Sequence, residues 1–178
     1  MRAWQWLLIG AGLAYSAAWA KKSIDVNLKH FSSAEFGPWW PLMNKELVQT
    51  LDRLRGSWGH PIVISSAPGA LGRELGEGNN SQHNVIKWGE VRAVDIMPLI
   101  IENGARRGLA YPFERKAFFD VCVQIGFTGI GVYPFWKPFP GFHVDVRADR
   151  HPGSPATWAG IPNKYGEQVY VGVAQVLA

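Results

Sequence analysis

The sequence predicts an α+β domain: a small antiparallel sheet, helices packed on one face, a metal site on the other, and a hydrophobic helix ahead of it. Three observations carry that prediction. Residues 91–97 and 142–147 alternate polar and apolar side chains as half-buried strands do. Two runs, after Asn44 and from Pro112, repeat apolar residues at helical spacing. Both alternating runs also gather His and Asp on a single side, so one sheet face is apolar and the other carries chemistry.

Each element has its own signal. Residues 3–20 form an uncharged, largely apolar run between Arg2 and Lys21-Lys22, with Trp4, Trp6 and Trp19 near its ends. As a helix it is about 27 Å long, against a hydrocarbon core of roughly 30 Å. It reads as a membrane anchor over residues 1–22, with a domain at 23–178. Ala18-Trp19-Ala20 resembles a small-x-small cleavage site, so a secreted protein with a signal peptide is the alternative. A buried or oligomerising helix is a third reading, and membrane topology stays open.

Asn44 caps a helix to about Arg55, with Leu47, Val48, Leu51 and Leu54 on one face and Gly56 ending it. Residues 61–65 read as a strand. Residues 67–80, rich in Gly and Asn, read as a loop. Glu102-Asn103-Gly104 is a turn. Pro112 opens a second helix whose buried stripe is Phe113, Ala117, Phe118, Val121 and Ile125, and Gly126 ends it. Residues 129–133 form a strand and 135–141 an aromatic, Pro-rich loop. After Arg150 the chain reads as loop until a final strand or short helix at 168–177.

Composition narrows the class. A chain of 178 residues, 47% hydrophobic and 18% charged, suits one globular domain with a sizeable core. A single cysteine, Cys122, rules out an internal disulfide and a thiolate-rich zinc site, and its apolar setting makes it a core residue. The net charge of +4 suits an anionic surface such as a cell wall. Lys and Arg are scattered rather than striped, which speaks against a nucleic-acid partner. Among nine tryptophans, Trp39-Trp40, Trp88, Trp136 and Trp158 fall in loops, where they either pack internally or line a substrate groove.

The chemistry concentrates in Ser81-Gln82-His83, Ala93-Val94-Asp95 and Phe142-His143-Val144-Asp145-Val146-Arg147. Two imidazoles with one or two carboxylates suit a zinc ion and leave a coordination position open, the layout of catalytic rather than structural zinc. Ordinary surface and core roles for these residues are the competing reading. Neighbouring strands would set Asp95 beside His143. His30, His60 and His151 read as bystanders.

At these residues the chain resembles the zinc D-Ala-D-Ala carboxypeptidase family, which includes phage endolysins and shares its fold with the hedgehog signalling domain. The matching features are Ser81, His83, Gly89, Ala93 and Asp95; Gly129-Ile130-Gly131-Val132-Tyr133-Pro134; and Phe142-His143-Val144-Asp145. Residues 29–36 and the 61–66 strand follow in family order, so the resemblance spans roughly residues 28–150. It implies Zn2+ held by His83, Asp95 and His143, and hydrolysis of peptide bonds in peptidoglycan stem peptides or cross-links. Asp145 is the remaining candidate for proton handling or for supporting a ligand. Ser81 and Arg73 are candidates for substrate binding. The implied setting is a bacterial envelope or a phage virion, with membrane contact through residues 3–20 and possible self-association.

The chain departs from the family in three places. The stretch between His83 and Asp95 is longer than usual, the surplus falling around Lys87-Trp88-Gly89-Glu90. Pro140 stands where many relatives place the general-base carboxylate, which leaves Asp145 and Glu90 as candidates. Ala67-Pro68-Gly69 replaces a Gly-Tyr-Arg whose Arg binds the substrate carboxylate, the role assigned above to Arg73. These departures keep a second expectation in play, a non-catalytic wall-binding or structural virion protein on the same fold.

Overall fold

The computed structural model describes residues 24–178. The expected hydrophobic helix at 1–22 lies outside them. Among the described residues no helix is long and apolar enough to cross a membrane.

The domain is α+β, as expected, around a seven-stranded sheet. Its strands are β1 (Ile62–Ile64), β2 (Ala93–Glu102), β3 (Ala105–Gly108), β4 (Gly129–Tyr133), β5 (Gly141–Asp145), β6 (Ala156–Pro162) and β7 (Gln168–Val171). The order is β1-β2-β5-β4-β6-β7, with β3 folding back on β2. The helices are α1 (Lys45–Trp58), α2 (Val85–Trp88), α3 (Pro112–Ile125) and α4 (Ala174–Leu177), preceded by a 3-10 segment, Ser33–Leu42.

One expectation about the sheet is corrected. It is mixed, not purely antiparallel, because β6 runs parallel to β4, with Gly131 opposite Trp158. The Pro and Gly residues around 152–162 resemble a loop in sequence. They form a strand because β4 offers an unpaired edge beyond the reach of any local signal. Trp158 therefore sits on a strand, and Trp88 on the short α2, not in loops.

The helical expectations need adjustment. The Asn44 side chain accepts the Leu47 N–H at 3.0 Å, as a cap should. The helix then runs through Gly56 and stops at Gly59, whose φ of 71° is the left-handed conformation of a helix end. On α3 the buried residues are Glu114, Arg115, Phe118 and Cys122, whereas Phe113 is 69% exposed and Ala117 is exposed. The stripe is displaced because two charged residues have partners inside. Arg107 meets Glu114 at 2.6 Å, and Arg115 donates to the carbonyls of Leu109, Ala110 and Val176.

The core lies between the sheet and the two long helices. Val94, Ile96, Ile130, Val132, Phe142 and Val144 point toward them and are fully buried, as are Leu47, Leu51 and Phe118. Phe118 of α3 meets Phe142 edge to face at 4.8 Å. By strand alternation, Asp95, His143 and Asp145 point to the opposite face.

Candidate metal centre

The register builds the site. Asp95 on β2 pairs with His143 on β5, His143 with Gly131 on β4, and Gly131 with Trp158 on β6. One row across the sheet therefore reads carboxylate, imidazole, glycine, indole. His83 joins from outside the sheet, on the turn leading into α2. Its carbonyl accepts the Arg73 N–H at 2.8 Å, and the Arg73 carbonyl accepts the Val85 N–H at 3.0 Å, so two loop segments clamp it.

Three atoms converge. His83 Nε2 lies 3.1 Å from His143 Nδ1, His143 Nδ1 lies 3.1 Å from Asp95 Oδ1, and Asp95 Oδ1 lies 3.4 Å from His83 Nε2. Tetrahedral ligands at bond lengths of about 2.0–2.1 Å stand about 3.3–3.4 Å apart, so this triangle needs almost no rearrangement to hold a divalent ion. All three residues are buried.

The far nitrogen of each ring is also committed. His83 Nδ1 lies 2.5 Å from the Leu71 carbonyl, which only an N–H can satisfy, so Nε2 keeps its lone pair for a metal. His143 Nε2 lies 2.9 Å from Asp145 Oδ2, which leaves Nδ1 facing the other two ligands. The two histidines thus present opposite nitrogens to one point.

The electrostatics follow from burial and pairing. Burial pulls the His83 pKa below its usual value, favouring the neutral ring a metal requires. Burial also works against a charged His143, but Asp145 and Asp95 outweigh it and raise its pKa to about 9. Burial pushes Asp95 upward, and the two imidazoles overcome this to hold it well below the usual carboxylate range.

Asp145 is not one of the converging ligands. It is fully buried behind His143 and gripped by Arg147, with Nε to Oδ1 at 2.9 Å and Nη2 to Oδ2 at 2.5 Å. It contacts His143 Nε2 and stands behind that ring, outside the three converging atoms. Glu90 is elsewhere: it accepts from Asn44 Nδ2 at 2.8 Å and lies within 4 Å of Arg92. It does not line the cleft over His83, Asp95 and His143. The surplus segment before it forms the capped turn α2, not an irregular loop.

Arg73 does reach the site, its guanidinium 3.5 Å from Asp95 Oδ2 and 41% of its side chain exposed to the cleft. Ser81 lines the same cleft, but its hydroxyl accepts the His83 N–H at 3.3 Å and so steadies the His83 turn. His30, His60 and His151 stand apart from the trio.

The cleft, about 450 Å³, also contains Trp136 and Trp158, two of the tryptophans expected either to pack internally or to line a groove, and residues that sequence reasoning gave no role: Arg147, Tyr133, Gln168 and Tyr170. Arg147 alternates in phase with His143 and Asp145, a signal that was available. Gln168 and Tyr170 depend on the pairing of β6 and β7, which has no local signature. Comparison with known proteins gives no match among family models, curated proteins or solved structures.

Proposed function

We propose that this protein is a zinc-dependent peptidase that hydrolyses peptide bonds in peptidoglycan stem peptides or cross-links. The observation that carries the reading is the triangle of His83 Nε2, Asp95 Oδ1 and His143 Nδ1, opening onto a cleft. Two imidazoles, each with its far nitrogen held by a second group, and one carboxylate are the donor set of a hydrolytic zinc site. A zinc ion held there supplies Lewis acidity, acidifying water and polarising a carbonyl.

The chain's own residues do the rest. His83 and His143 bind as neutral rings, and Asp95 offsets part of the ion's charge. Asp145 and Arg147 hold the His143 ring in position. Arg73, half exposed at the rim, offers a guanidinium to a substrate carboxylate. An envelope or virion setting, with residues 3–20 as an anchor, belongs to the same reading.

One observation favours the second reading, a non-catalytic wall-binding or structural protein. Asp95 is the lone carboxylate among the described residues that line the cleft, and it is already committed to the trio. Digestion of purified peptidoglycan separates the two. The zinc-loaded full chain should release new amino termini, and Asp95→Ala should release none. Zinc binding with no cleavage across several cross-link types would leave the second reading standing.

A further inference from the structure

Beyond the trio, the cleft runs over three aromatic side chains, each lying above a glycine of a neighbouring strand. A Cβ at Gly131 would stand 2.5 Å from the Trp158 indole, one at Gly160 would stand 2.4 Å from the Tyr133 ring, and one at Gly141 would stand 2.3 Å from Trp136. The rings take the room that three missing side chains leave on the sheet. Tyr133 and Trp136 stack in parallel, 4.0 Å between centroids and 14° between planes. Tyr170, opposite Gly160 on β7, continues the row and is 64% exposed.

The polar edges of this floor are already engaged. Trp158 Nε1–H donates to Tyr133 Oη at 2.9 Å, Trp136 Nε1–H reaches Gln168 Oε1 at 3.4 Å, and Gln168 Nε2–H donates to Tyr170 Oη at 3.0 Å. Tyr133 is itself buried under Trp136, and Arg147 lies over the Trp158 ring, so the floor offers a ligand the half-buried Trp136 and the exposed Tyr170, bordered by the exposed Gln168 amide. Formal charge in the cleft gathers around the trio, at Arg73, Asp95 and Arg147, while the end formed by Tyr133, Trp136, Gln168 and Tyr170 carries none.

We infer that this aromatic floor is a sugar subsite, which takes a neutral pyranose ring of the glycan chain while the attached peptide lies over the trio. The axial C–H face of a pyranose matches the electron-rich face of an aromatic ring, and its hydroxyls match the bordering amide and phenol. A charged or purely aliphatic ligand would use one of these features and leave the other idle. The inference rests on the peptidase reading for the identity of the glycan, but the subsite binds without cleavage and without metal.

The test is calorimetric titration of the full chain with the N-acetylglucosamine tetramer, in chelator and again with zinc. Saturable binding is expected in both conditions. Tyr170→Ala should weaken it at least about tenfold, and Trp136→Ala should remove it. Phe113→Ala, an exposed aromatic outside the cleft, should leave it unchanged. Tyr170 is exposed on an edge strand, so its loss spares the fold, and zinc content measured on the same variant should match the parent. No binding by the parent, or parent-like binding by both cleft variants, overturns the subsite. Sugar binding by a chain that takes up no zinc would overturn the peptidase reading alone.

Discussion

Asp145 is fully buried, yet it touches none of the three converging ligand atoms. Its oxygens are shared between His143 and the Arg147 fork, so it acts on a metal only through the ring it holds. Asp145→Asn keeps the shape, but it weakens the acceptor and strips Arg147 of its ion pair. We expect zinc affinity to fall about 10–100-fold, read by competition with a chromophoric chelator, while activity at saturating zinc is largely retained. Unchanged affinity with abolished turnover would instead make Asp145 a proton carrier. At this scale Asp95 and His143 were legible from alternation, since each alternates against apolar neighbours and two strands so patterned meet on one face, whereas His83, on a turn outside the sheet, was legible only through the Ser81-Gln82-His83 motif. The same alternation places Arg147 on the face of Asp145, whose carboxylate it grips two residues away. Glu90, the other candidate, is held by the Asn44 amide outside the cleft lining. That contact joins residues 46 positions apart and has no local signal in the sequence.

At the scale of the elements, β4 matters for what it lacks. Its motif Gly129-Ile130-Gly131 puts glycine on the site face and isoleucine in the core. A Cβ at Gly129 would stand 2.2 Å from the Asp145 carboxylate, and one at Gly131 would meet the Trp158 indole. Both strand glycines are therefore explained by the large side chains of adjacent strands lying across them. Gly129→Ala should push Asp145 off His143 and lower zinc affinity. It should also destabilise the fold by about 1–3 kcal/mol in urea denaturation, the usual cost of overpacking a filled interior. A variant with parent-like zinc affinity would show that Asp145 does not set the ring. The glycines were visible in sequence, but their reason was not, since it lies on β5 and β6. The same gap misread α3: helical periodicity chose Phe113 and Ala117, whereas Glu114 and Arg115 are inside because β3 and the chain's end supply their partners.

At the scale of the molecule, the mixed sheet gives a two-sided design, packed helices behind and a cleft in front. Long-range polar ties close the periphery. Asp52 on α1 accepts the N–H groups of Lys29, His30 and Phe31 at 2.8–3.0 Å, fixing the start of the described chain. Arg115 binds the Val176 carbonyl of α4 and so fixes its end. The trio links this framework to pH. The His143 pKa, raised to about 9, exceeds the roughly 6.5 of an unfolded chain. The proton therefore stabilises the chelated protein fully below about pH 6.5, and that contribution is lost as pH rises through 9. Zinc requires the neutral ring and must displace this proton, so its apparent affinity should rise about tenfold per pH unit between about 6.5 and 9. At fixed free zinc, the gain in Tm over the chelated protein should grow across that interval and level off above it. A gain that is flat or falls with pH would contradict the assignment of His143 as a ligand.

The most direct measurement is the metal content of the purified full chain, by elemental mass spectrometry, beside His143→Ala. About one zinc per chain, lost in the variant, is the predicted result. No zinc in the parent even after supplementation, or equal zinc in the variant, would contradict the metal centre on which the account rests.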